Sequence, residues 1–115
     1  MSLSEKPPIY TLISELLDWT LDRTADIPKS HRFTVGQRID EFTLETLERC
    51  LEAIYETGPA KREPLRQLNL LLEKLRVFWR IVHRRGWIGQ RQLFFVVGKI
   101  DEIGRMTGAW LKTIR

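Results

Sequence analysis

The sequence predicts an all-α chain folded as an up-down-up-down antiparallel four-helix bundle, and three observations predict it. Apolar residues recur at steps of three and four through four long segments. Ile27-Pro28, Gly58-Pro59 and the stretch from Gly86 to Gly89 punctuate the chain between those segments. Nowhere do apolar and polar residues alternate as a strand requires. Connections of a few residues leave consecutive helices no choice but to lie antiparallel.

The first helix is expected over about residues 9–25. Pro7-Pro8 opens it, because a first-turn proline lacks only an N–H that would have no partner there. Ile9, Leu12, Ile13, Leu16, Leu17 and Thr20 then form its inner stripe. Ile27-Pro28 ends it, since the residue before proline is pushed out of the helical region. Ser30 is an N-cap candidate for a second helix over about 31–57. Val35, Ile39, Phe42, Leu47, Cys50, Leu51 and Ile54 supply its apolar face.

Pro64 marks the start of a third helix, about 63–84, which has the cleanest pattern in the chain. Leu65, Leu68, Leu72, Leu75, Trp79 and Val82 alternate steps of three and four, a heptad seam. The fourth helix, about 90–114, turns Leu93, Val97, Ile100, Ile103, Thr107, Trp110, Leu111 and Ile114 inward. The expected core contains Leu16, Ile39, Leu47, Leu68, Leu72, Leu75, Trp79, Val97, Ile100 and Trp110. At 115 residues the chain is a single domain, 1–115, with one core.

Charge is unevenly divided along this frame. Residues 1–60 carry six Lys/Arg against eleven Asp/Glu, and residues 61–115 carry thirteen against four. The two halves, −5 and +9, sum to the overall +4. Such a one-sided field points to a polyanion or an acidic protein surface as partner. On the third helix Arg62, Arg66, Asn69, Glu73, Arg76, Arg80 and Arg84 share one stripe opposite the leucine seam. The stripe runs on through Arg85 to Arg91, with Trp87 in the same corner. Guanidinium groups beside an exposed indole bind phosphate and stack on an unpaired base. Against this stands the simpler alternative of a solvated helix face with Trp87 tucked over the bundle end.

Several function classes find no support. The longest wholly apolar run, Leu93–Val97, is far shorter than the roughly 20 residues a spanning helix needs. The start, MSLSEKPP, has no secretory apolar region, and a lone Cys50 suits the reducing cytoplasm expected for this chain. His31 and His83 belong to no Glu-x-x-His pair, and no second cysteine joins Cys50. Phosphate-cradling glycine loops are missing. The expectation is a chain with no catalytic residue, no metal and no cofactor; an enzyme with a hidden site is a distant third reading.

Gly104 and Gly108 stand one turn apart inside the fourth helix, at a cost of about 1 kcal/mol each against alanine. Close approach of another backbone, from the same bundle or a second subunit, is the usual compensation. Phe78, Phe95 and Trp19 fall beside the seams, an aromatic excess that either marks an interface or only broadens the core-facing stripe. Phe78, Phe95, Gly104 and Gly108 are thus the candidates for an oligomer interface, in a ring-like homo-oligomer.

Two segments resemble a known family: Leu75-Arg76-Val77-Phe78-Trp79-Arg80, and Gly104-Arg105-Met106-Thr107-Gly108-Ala109-Trp110-Leu111-Lys112. They look like those of the accessory variability determinant (Avd) proteins of diversity-generating retroelements. Those proteins are similar in turn to the four-helix bundles encoded in intervening sequences of bacterial 23S ribosomal RNA genes. The resemblance implies a homopentamer that binds RNA or DNA and the element's reverse transcriptase, supporting mutagenic copying without catalysis of its own. It assigns Arg76, Arg80, Arg105 and Lys112 to the basic surface. The acidic second helix, with Glu41, Glu45, Glu48, Glu52 and Glu56, departs from a uniformly basic exterior. The alternative is a bundle of the intervening-sequence type, structural or interacting, with no polymerase partner.

Overall fold

The computed structural model describes residues 6–115. The MSLSE start, part of the reading against a secretory leader, lies outside them. Helix α1 spans Pro8–Thr24, with no acid in its first turn and Arg23 in its last. Helix α2 (29–55) is one rod in three parts: an α turn Lys29–His31, a π-helical stretch Arg32–Gly36 and an α-helix Gln37–Tyr55. A 3-10 turn, Gly58–Lys61, leads into α3, Arg62–Arg84, and α4 spans Gln90–Lys112. No strand occurs among the described residues.

Each helix packs against its chain neighbours, and α1 closes the ring against α4. The product is a rod-shaped four-helix bundle of 44 × 23 × 22 Å. Both ends of every helix fall within about four residues of the expected positions. The π-helical stretch has no counterpart in the sequence reading. Its wider turn takes one residue more than an α turn and so re-aims Lys29–His31 relative to Gln37–Tyr55.

Leu16, Ile39, Leu68, Leu72, Leu75, Trp79 and Ile100 are buried in the core as expected. Each fully buried leucine contributes about 1.5–3 kcal/mol. Leu47, Val97 and Trp110 are corrected to half-buried flanking positions. The centre of the α2 face is instead Ile39, Thr43, Thr46, Cys50 and Ala53. Small side chains let the helices pack closely, and the Thr43 and Thr46 hydroxyls donate to the Ile39 and Phe42 carbonyls, each at 2.8 Å. Those local bonds satisfy the hydroxyls without a partner from another helix. In α4 the buried line is Val96, Ile100, Ile103 and Thr107, which turns Val97 toward the groove beside α3. Trp110 lies near the C-terminal end of α4, under the Lys61 ammonium.

Candidate nucleic-acid interface

Antiparallel packing brings the start of α2, the end of α3 and the start of α4 to one pole of the bundle. Arg80, Arg84, Arg85 and Arg91 gather there, all exposed. Lys29, Arg32 and Arg38, from the acidic half of the sequence, join them at the same pole. Asp22 and Asp26, at the end of α1, bring acid to it as well. The positive region is thus a pole assembled from three helices, not the second half of the chain as such.

The α3 stripe is not continuous. Midway along it Arg76 donates from Nε and Nη2 to Asp101 Oδ1 of α4, at 3.0 and 2.8 Å, and from Nη1 to Glu73. Two carboxylates hold this guanidinium, and its side chain is only 21% exposed. Arg76 is therefore a strut between α3 and α4 and presents no free charge. Arg62 is likewise engaged, donating to the Ile114 carbonyl at 3.0 Å from the far pole. Arg66 and Lys112 are exposed near that far pole, and Arg105 is exposed midway along α4. The residues assigned to one basic surface thus divide into two groups with a neutralised knot between them.

Trp87 does not stand open to a base. His31 packs against its ring with centroids 4.9 Å apart and 30° between planes, and the Arg85 guanidinium lies over it at 5.1 Å. This stack clips the start of α2 to the α3–α4 loop. The most exposed aromatics of the basic pole are others: Phe94, 71% exposed, and Phe33, 75% exposed. Phe94 was legible in principle, since it falls two residues before Val96 and so opposite the line Val96, Ile100, Ile103.

A groove of about 290 Å³ between α3 and α4 is lined by Arg80, His83, Gln90, Leu93, Phe94 and Val97. A second, of about 360 Å³, opens at the π-helical stretch beside Phe33, Arg38, Glu41 and Phe78. The interface candidates also find partners within the chain. Phe78 packs on Phe42 at 5.4 Å and Phe95 on Trp19 at 5.4 Å. Neither glycine of α4 is forced by a close approach inside the bundle: a Cβ on Gly104 would meet Leu72 Cδ1 at an ordinary 3.8 Å, and one on Gly108 would meet nothing within 4 Å. Packing inside the bundle therefore does not account for either glycine.

The opposite sign is carried by α2. Glu41, Glu45, Glu48, Glu52 and Glu56 are all exposed along its outer side, and Arg49 pairs with Glu52 at 3.1 Å. Among the described residues, no three His, Cys, Asp or Glu side chains gather closely enough to hold a metal ion. No helix among the described residues is long and apolar enough to cross a membrane.

These features define a class: a small helical bundle with a basic, aromatic-bearing pole and an acidic flank. The chain belongs to the bAvd-like family, whose model matches residues 9–114. That match spans all four helices. No curated protein and no solved structure matched the chain.

Proposed function

We propose that this protein is a non-catalytic accessory factor of a diversity-generating retroelement, binding nucleic acid and the element's reverse transcriptase to support mutagenic cDNA synthesis. Membership of the bAvd-like family supports the retroelement setting. The observation that carries the nucleic-acid part is the pole where Arg80, Arg84 and Arg91 stand exposed, with no carboxylate in salt-bridge range among the described residues. Guanidinium groups free of internal partners are available to phosphate oxygens, which they match as a fork. Displaced counterions make such binding fall steeply with salt.

The exposed glutamates of α2 offer the complementary surface for a basic region of the polymerase, where electrostatics sets orientation and association rate. Assembly into a ring, expected from the family resemblance, would repeat both surfaces around an axis and add avidity. The direct test is co-purification with a reverse transcriptase encoded beside this gene, then cDNA synthesis with and without the protein. The expected result is a complex, and cDNA whose yield or error pattern depends on the protein. No complex and unchanged cDNA would overturn the retroelement role in favour of the intervening-sequence type of bundle.

A further inference from the structure

We propose that Phe94 is a stacking platform for one unpaired base, so that the basic pole selects single-stranded over double-stranded nucleic acid. This rests on the proposed nucleic-acid binding and goes beyond it by naming the strand state recognised and the residue that recognises it. Phe94 is 71% exposed in the first turns of α4, opposite the buried line of Val96, Ile100 and Ile103. Its ring borders the α3–α4 groove together with Arg80 and His83. Arg91 is one turn before it on the same helix, and Arg84 one turn beyond Arg80 on α3. A flat apolar surface rimmed by unpaired cations is the arrangement that holds a base by its face and its flanking phosphates by charge.

Gly98 lies one turn beyond Phe94, and a Cβ there would meet nothing within 4 Å, so the helix surface beside the ring is open. Helical side chains lean back toward the N-terminus, so a long side chain at 98 would reach over the ring. The two other aromatic candidates at this pole are less suited. Trp87 is already covered by His31 and Arg85, and the groove beside Phe33 includes the Glu41 carboxylate, which repels phosphate.

In a duplex the base faces are consumed by stacking on one another, so Phe94 gains nothing there and only the cations contribute. The experiment measures binding of the full chain to a labelled single-stranded oligonucleotide and to a hairpin duplex of equal charge, at two salt concentrations. Wild-type protein should prefer the single strand. Phe94→Ala should weaken single-strand binding roughly fivefold to a hundredfold, the range of one base–aromatic stack, and leave duplex binding within about twofold. Gly98→Leu, which leaves Phe94 in place but covers it, should do the same, whereas Phe94→Trp should retain the preference. Arg80→Glu/Arg84→Glu/Arg91→Glu should lose both ligands.

Circular dichroism and light scattering on each variant separate the outcomes. Unchanged single-strand binding by Phe94→Ala, while wild type binds nucleic acid, overturns the platform alone. Loss of assembly in Phe94→Ala would place the ring between copies of the chain and overturn it too. Wild-type protein that binds neither ligand overturns this inference together with the nucleic-acid reading on which it stands.

Discussion

Arg76 of α3 and Asp101 of α4 are joined by two hydrogen bonds to one carboxylate oxygen, from Nε at 3.0 Å and Nη2 at 2.8 Å. The pair lies midway along the bundle and bridges these two helices. It also removes from the basic surface an arginine that stands in the middle of the α3 stripe. A half-exposed pair of this kind contributes about 0.5–1 kcal/mol. Asp101→Asn should lower thermal stability by up to that amount and, by removing one of the two carboxylates that neutralise Arg76, strengthen nucleic-acid binding slightly. Arg76→Ala should destabilise similarly and change binding far less than Arg84→Ala. Thermal melts and anisotropy titrations on the three variants check both halves of this expectation.

Two glycines should respond to alanine with opposite signs. Gly86 begins the α3–α4 loop with φ of +77°, a conformation that costs an L-residue about 1–2 kcal/mol. Gly108 is inside α4 with open space at its Cβ position, where alanine regains about 1 kcal/mol of helix propensity. Gly86→Ala should therefore lower, and Gly108→Ala raise, the denaturation midpoint of the monomeric bundle. Chemical denaturation at low protein concentration is the measurement. If copies of the chain meet at Gly108, light scattering of the same variant will show weaker assembly despite the more stable fold.

Asp40 couples the end of α1 to α2. Thr24 Oγ1 donates to its Oδ1 at 2.6 Å, yet burial raises its pKa above the ordinary 3.8, with Glu41 adding to the effect and the Thr24 bond opposing it. A carboxyl with a raised folded pKa holds its proton more tightly folded than unfolded. Its contribution to stability is therefore greatest below the unfolded value and is lost as pH rises through the folded one. Asp40→Asn keeps an oxygen acceptor for Thr24 and carries no charge. The variant should be at least as stable as wild type at neutral pH, and its advantage should shrink as pH falls through the acid range. A variant less stable at pH 7 than at pH 4, relative to wild type, would contradict this.

Cys50 is a core residue, and burial alone pushes its thiol up to about 11. Only the thiolate reacts with disulfide reagents, so the folded protein should be modified very slowly at pH 8 and rapidly once denatured. Reaction rates with and without denaturant test this directly. Fast modification of the native protein would mean that α2 opens far more readily than its packing implies.

The helices and their order were legible because they depend on local chemistry. Proline punctuation and a three-four apolar period mark α3 without reference to any other part of the chain, and all six of its seam residues are buried. The face of α2 was less legible. Its centre is threonine, cysteine and alanine, chosen for small size at a helix–helix contact, while bulkier Phe42 and Leu47 are displaced to the flanks.

The interface was the least legible part, because one-dimensional charge says where cations are and not what neutralises them. Arg76 stands on the same stripe as Arg80, yet Asp101, 25 residues along the chain, holds it. Spacing alone left Trp87 either exposed or tucked over the bundle end, and the start of α2, far away along the chain, decides it by setting His31 against the ring. By itself the sequence determined four amphipathic helices, their antiparallel order and an imbalance of charge, since each depends only on residue spacing and short loops. Only the tertiary structure decided which cations remain free, which aromatic ring stays uncovered and where the positive pole lies. Those properties depend on distances between helices, and a side chain's partner across a packed interface has no fixed separation in sequence.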